Sequence, residues 1–523
     1  MQKALLLWFL FATLFAKAQN IDVLHYSYEL ELNDKNDSIY GKATILFKRK
    51  NPGAVYFDLT NVGRNGKGIK VYEAGTSEEL TGIKFLQEGN KLIFPGGFAT
   101  KRDSILLFIH YKGIPGDGLI ISKNKYGDRT FFADNWPNRA HHWIPCIDKP
   151  DDKASFEFIV TAPSHYQVIS NGIKIEEKDL GNGKKLTHWK EDIPLPTKVM
   201  VIGVARFAVK TFDDSPKNIP VSAWVYPQDS TKGFYDYALA TEILKFYSAY
   251  IAPYPYKKLA NVQSKTIFGG MENASAIFYA ENSVTGDRSS EDLLAHEIAH
   301  QWFGDMASET SFEHLWLSEG FATYFTDLYF EKKYGRDAMI TRLKKERNDV
   351  IAFAKSSNRP VVDSTKDLMS LLNANSYQKG SWVLHMLRNQ VGNDTFQKII
   401  QTYYNQFKGS NAESRDFTKV ATEVTQTDMR PFFHQWLYRS GIPQIKMTWK
   451  WLKNKLVISV QQMQKLPYEF PLEIKIIENG GTEKIVELNV HKKTEIISLP
   501  YRTKPSKIIL DPNTNLLFSE PGF

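Results

Sequence analysis

Cysteine is nearly absent: Cys146 stands alone among 523 residues. No intrachain disulfide can form, and stability must come from packing or a bound metal. Cys146 itself reads as a buried small hydrophobe, because a thiol nucleophile needs a base and an electropositive setting around it. Long apolar runs are missing too. Beyond the N-terminus no stretch reaches the roughly twenty residues that a membrane span requires. Lysine and arginine interleave with acids and form no basic stripe, which excludes nucleic-acid binding. No internal repeat or low-complexity segment interrupts a composition that is 42% hydrophobic, 13% aromatic and 24% charged, so the chain is globular.

The first residues differ from all that follows. Lys3 supplies a positive start, Ala4 to Phe15 form an apolar block, and Ala16-Lys17-Ala18 fits a small-residue cleavage site. This predicts a signal peptide over 1–18, cleaved near Ala18, and export to the periplasm or beyond. Removal of Lys3 and Lys17 leaves 64 basic against 58 acidic residues, a mild net charge of +6.

A chain of this length exceeds one hydrophobic core and suggests roughly three domains. From 19 to 227 the period is two: Tyr26, Tyr28, Leu30 and Leu32 alternate with polar neighbours, as do Ala43, Ile45 and Phe47. Turn clusters at Asn51-Pro52-Gly53 and Gly181-Asn182-Gly183 favour an antiparallel β domain over βαβ units. Helical spacing starts at Leu239, Ile243, Phe246 and Tyr247 and defines a mainly helical domain over 228–440. Alternation returns in Ile445, Met447, Trp449 and Trp451, with a hairpin signal at Asn479-Gly480-Gly481, so 441–523 reads as a small β-sandwich. The fold class is multidomain α+β.

The chemistry lies in the helical domain. Ser289-Ser290-Glu291-Asp292 reads as a helix start, and Leu293, Leu294 and Ile298 continue the helix toward Gly304. His296 and His300, four apart, share one face about 5–6 Å from each other and can reach a single metal ion. Glu297 is displaced around the helix, where it can act on a zinc-activated water without occupying a coordination position. Glu319, near the start of a helix running to Tyr334, supplies a third ligand. Two histidines and a carboxylate leave a fourth position open, as catalytic zinc sites do. Chance would produce this arrangement in on the order of one such chain in a thousand. The nitrogen and oxygen donor set favours one zinc ion over other metals. Asp305 and Asp327 are candidates for fixing the imidazole tautomers.

Gly269-Gly270-Met271-Glu272-Asn273, then His296-Glu297-x-x-His300, Trp316-Leu317-Ser318-Glu319-Gly320, Tyr377-Gln378-Lys379-Gly380, and Phe433-x-x-Trp436 before Gly441-Ile442-Pro443 together resemble the aminopeptidase N and leukotriene hydrolase family of gluzincins. The resemblance implies an N-terminal β-saddle, a thermolysin-like catalytic domain and a β-sandwich, in a three-domain member lacking the helical C-terminal domain. It also implies a zinc aminopeptidase acting on peptides with a free N-terminus, with Glu297 as general base. Gly269 to Asn273 would bind substrate. Glu272 would select the cationic α-amino group, and the glycines would admit an extended peptide as an added strand. Tyr377 would donate a hydrogen bond to the developing oxyanion.

Two positions depart from the family pattern. Ser318 replaces the usual Asn before the third ligand, a change expected to be tolerated. Counting back from Pro145-Cys146-Ile147-Asp148, the position of a second amine-binding Gln or Glu falls on Trp136. Asp134 or Asn135 could substitute for it, with Arg139 and His141 structural. The rival readings are epoxide hydrolysis on a lipid, which would leave aminoacyl amides untouched, and a silent peptide-binding module, which would carry a damaged site.

Overall fold

The computed structural model describes residues 21–78, 82–98 and 102–521. The expected signal peptide lies outside them. Period-two segments of the N-terminal region build a seven-stranded sheet in the order Ile173–Gly181, Lys184–Pro196, Lys153–Pro163, Ile21–Glu31, Ile39–Arg49, Ser104–Ile114, Gly68–Thr76. Tyr26, Tyr28, Ala43, Ile45 and Phe47 face its core and are fully buried. The sheet is not purely antiparallel, as the turn signals suggest: Ile21–Glu31 pairs in parallel with Lys153–Pro163, His25 opposite Ser155. Such a pairing needs a long crossover, and its partner is invisible to local turn chemistry. Cys146 is buried in this region as a free thiol, its pKa pushed up by burial.

The next region is not entered through helices alone. A five-stranded sheet runs in the order Ala208–Thr211, Val221–Val225, Leu259–Ser264, Ala276–Ala280, Gly270–Met271, so strands on both sides of residue 227 share it. The middle three are parallel. Leu259–Ser264 is buried at every position, which erases the alternation that would announce a strand. Among the described residues nine α-helices follow one another: α1 (Ser230–Tyr237), α2 (Leu239–Tyr250), α3 (Glu291–His300), α4 (Trp316–Tyr334), α5 (Arg336–Ser356), α6 (Gly380–Val391), α7 (Asn393–Phe407), α8 (Ser414–Thr425) and α9 (Arg430–Phe433). Gly335, at φ +88°, closes α4.

After the helices come two three-stranded antiparallel sheets. One holds Ile445–Leu452, Lys455–Gln462 and Thr494–Pro500; the other holds Glu483–Val490, Phe470–Glu478 and Pro505–Leu510. Leu456, Ile458 and Val460 of the first and Leu472, Ile474 and Ile476 of the second are buried. The chain is therefore a mixed α+β multidomain protein, with a β-rich N-terminal domain followed by a mainly helical region.

The N-terminal domain is tied to the helical region by buried polar contacts. Lys198 pairs with Glu309 at 2.5 Å, with side chains 2% and 0% exposed. Lys153 Nζ donates to the carbonyls of Met306 and Ser410 at 2.9 and 2.8 Å. Asn171 Nδ2 donates to the Ala274 carbonyl at 2.6 Å. These ties hold one wall of the cleft described next.

Candidate metal centre and cleft

Helix α3 buries Leu294, Ala295, Ile298 and Ala299. Ser290 stands at its start without a side-chain cap bond, so the expected capping hydroxyl is not what holds the end. Instead the Glu291 carboxylate accepts from Tyr329 Oη, Lys333 Nζ and Tyr334 Oη at 2.7, 2.6 and 2.6 Å, fastening the start of α3 to the end of α4. Helix α4 in turn packs on α6 where two glycines meet. A β-carbon at Gly320 would lie 2.8 Å from Gly380 Cα, so only glycine allows this approach. The turn before α6, Asn375–Lys379, is π-helical and carries Tyr377 over the cleft.

His296, His300 and Glu319 converge. His296 Nε2 lies 3.1 Å from His300 Nε2, and Glu319 Oε2 lies 3.3 and 3.2 Å from these nitrogens. Among the described residues this is the one such group able to hold a metal ion. His300 Nδ1 sits 3.1 Å from both the Phe303 carbonyl and Ser318 Oγ. A carbonyl can only accept, so Nδ1 carries the proton and Nε2 is left as a ligand atom. Three buried carboxylates, Glu272, Glu297 and Glu319, surround the two imidazoles. That charge balance and the nitrogen–oxygen donor set both suit a borderline divalent cation such as zinc.

The proposed tautomer-fixing acids lie elsewhere. Asp305 accepts from Gln301 Nε2 at 2.9 Å, and Asp327 from Arg342 Nε at 2.6 Å. Neither carboxylate bonds to His296 or His300, and the Phe303 carbonyl and Ser318 hydroxyl stand at His300 Nδ1 instead. Ser318 thus makes the contact that its place before Glu319 allows. A β-carbon at Gly304, φ +118°, would lie 3.0 Å from His300 Nδ1 and overlap Ser318 Oγ, so this glycine keeps the contact open.

Glu297 is 5% exposed and packs flat against the edge strand Gly270–Met271. A β-carbon at Gly270 would overlap its carboxyl group. Burial, partly offset by His300 and reinforced by Glu272 and Glu319, pushes the Glu297 pKa well above the usual carboxylate range. Burial, then Glu319, likewise raises Tyr377, so its hydroxyl keeps its proton. The Tyr377 ring stacks on His296 with centroids 5.9 Å apart.

The edge strand is antiparallel to Ala276–Ala280, Gly270 opposite Tyr279, and it ends the sheet. Gln301 Nε2 donates to the Glu272 carbonyl at 2.7 Å. The Glu272 carboxylate is 5% exposed, and its Oε1 has no partner; nor have the two polar side-chain atoms of buried Asn273. The site thus holds a buried acid with unfilled hydrogen-bonding capacity in a cavity of about 430 Å³.

Neither Asp134 nor Asn135 reaches this cleft. Asp134 accepts from Arg139, Thr266 Oγ1 and Ile267 N at 2.7, 3.0 and 2.9 Å. Asn135 accepts from Trp143 Nε1 at 2.9 Å and donates to the Thr197 and Met200 carbonyls. Both are consumed in holding the loop, as His141 is by Asp148 at 2.7 Å. Trp136 is the residue of this loop that lines the cleft. Sequence reasoning missed Lys198, whose buried charge acts on Glu272. Its signal was a lone lysine beside the apolar run Val199-Met200-Val201-Ile202.

Residues 235–436 match the peptidase family M1 domain, and residues 23–199 match the peptidase M1 N-terminal domain. Among curated relatives, probable aminopeptidase 1 of Sulfurisphaera tokodaii is 27% identical over 447 residues, covering 80% of this chain and 53% of that protein. Leucyl aminopeptidase of Saccharolobus solfataricus is 26% identical over 476 residues, covering 86% and 58%. Glutamyl aminopeptidase of Homo sapiens is 26% identical over 382 residues, covering 68% and 39%. The chain spans about half the length of the curated relatives it matches. The solved structure of Legionella pneumophila aminopeptidase A in complex with aspartic acid aligns with a TM-score of 0.85 at 16% identity, over 97% of this chain and 60% of that one, a likeness of fold. The segment 235–436 contains the whole His296–His300–Glu319 triangle and the segment 23–199 supplies a wall of its cleft, and on this footing the chain belongs to peptidase family M1.

Proposed function

We propose that the protein is a single-zinc aminopeptidase, exported after cleavage near Ala18, that removes the first residue of peptides with a free α-amino group. The observation that carries this reading is the pairing of the His296–His300–Glu319 triangle with Glu272, a buried carboxylate whose Oε1 has no partner within the protein. A cationic α-ammonium supplies the missing charge-assisted hydrogen bond and places the first peptide bond at the metal site. An endopeptidase has no use for a buried acid so close to the scissile bond. The helical region with its edge strand fits a thermolysin-like catalytic domain, and the two C-terminal sheets fit a β-sandwich.

His296, His300 and Glu319 would hold the zinc. When bound, it supplies Lewis-acid polarisation of the scissile carbonyl and lowers the pKa of a water. Glu297 takes the proton of the attacking water and later delivers it to the leaving amine. Tyr377 donates a hydrogen bond to the carbonyl oxygen as charge builds there. Gly269 to Asn273 align the peptide, with Gly270–Met271 offering its free edge as a strand partner. The intact constellation weighs against a silent binding module.

The test compares aminoacyl p-nitroanilides with their N-acetylated counterparts, with and without chelator. Turnover of the free-amine substrates alone, abolished by chelator and restored by zinc, is expected. Equal turnover of blocked substrates, or indifference to chelation, contradicts the reading.

A further inference from the structure

Helix α3 runs along the cleft between a charged wall and an apolar one. At about 1.5 Å per residue, Asp292 and His300 stand roughly 12 Å apart. Charged side chains from one face of α5, Arg342, Lys345, Glu346 and Asp349, line the cleft. Arg342 lies 3.8 Å from Asp292, which places this face at the start of α3. On the wall formed by the edge strand that carries Glu272, the lining is Met271, Phe268 and, from the N-terminal domain, Trp136.

Trp136 is locked in a column that interleaves the two domains. The Arg139 guanidinium lies 5.7 Å from the Phe268 ring centre. Phe268 meets Trp136 edge-on at 5.7 Å, Trp136 meets Phe312 edge-on at 5.7 Å, and Lys198 Nζ lies 5.8 Å from the Phe312 ring centre. Both cations of the column are already engaged, Arg139 by Asp134 and Asp117 and Lys198 by Glu309. The other cations that line the cleft, Arg342 and Lys345, stand on α5, and Arg342 is engaged by Asp327 and Asp292. An acidic side chain beside Glu272 would therefore be desolvated next to a like charge without a partner. An apolar or aromatic one would meet a rigid aromatic wall.

We infer that Trp136 is the specificity-determining wall for the substrate's first side chain, selecting large apolar and aromatic N-terminal residues and rejecting acidic ones. The inference rests on the aminopeptidase reading, in which Glu272 holds the α-ammonium and thereby sets the first side chain against this wall.

The experiment measures kcat/KM of the zinc-loaded full chain for Phe, Leu, Ala and Glu p-nitroanilides. The wild type is expected to favour Phe and Leu over Ala by about tenfold and over Glu by about a hundredfold. Trp136→Ala lowers the Phe-to-Ala ratio by about tenfold. Trp136→Leu, which keeps apolar bulk and guards against a misfolded alanine variant, lowers it by about threefold. Wild-type turnover of Glu equal to that of Phe, or a Phe-to-Ala ratio unchanged in the folded variants, overturns the inference while Ala hydrolysis leaves the aminopeptidase reading standing. Absence of turnover on all four substrates overturns the aminopeptidase reading, and the inference with it.

Discussion

At the residue scale, the position of Glu297 depends on an atom that is not there. The Glu297 carboxyl fills the space a side chain at Gly270 would need, so the edge strand and the proposed base are fitted to one another. Gly270→Ala is expected to keep the fold and the metal but lower kcat by about a hundredfold, because a misplacement near 1 Å costs that much. Wild-type kcat in this variant, read by steady-state kinetics, would show that the base does not depend on this contact. The ligand triangle was legible because His296 and His300 are four apart on one helix and Glu319 lies on the next. The partners of His300 were not: Ser318 and the Phe303 carbonyl reach it through a tertiary approach, whereas Asp305 and Asp327, chosen by proximity in sequence, are held by Gln301 and Arg342.

At the scale of elements, the crossing of α4 and α6 at Gly320 and Gly380 sets the height of Tyr377 above the ligands. A methyl group at 320 meets backbone, not a side chain that can turn away. Gly320→Ala should therefore destabilise by about 1–3 kcal/mol through overpacking. Chemical denaturation would show a lower midpoint, and kcat would fall more than KM changes as Tyr377 shifts. An unchanged midpoint would mean that the helices part without cost. Helices α3 and α4 were legible from their apolar spacing and the glycine at 335. The parallel strands were hidden, since Leu259–Ser264 is buried on both faces and carries no period.

At the scale of the whole molecule, the N-terminal domain is part of the candidate site: it contributes Trp136 to the cleft and Lys198 to the charge around Glu272. Lys198→Met leaves Glu309 buried and unpaired, and should destabilise by about 3–5 kcal/mol. Adding Glu309→Met should recover much of the loss, since no lone charge then remains. Equal destabilisation by the single and double substitutions in denaturant titrations would show that the pair is not what joins the domains. The order of domains was legible from the changes of period, but not their interleaving, which sets residues 136 and 198 against 268 and 312. The most direct measurement is metal content and turnover of Glu297→Gln side by side with the wild type. Both proteins are expected to retain about one zinc per chain, with kcat of the variant reduced by about 10²–10⁴; undiminished turnover with zinc bound would contradict Glu297 as the base.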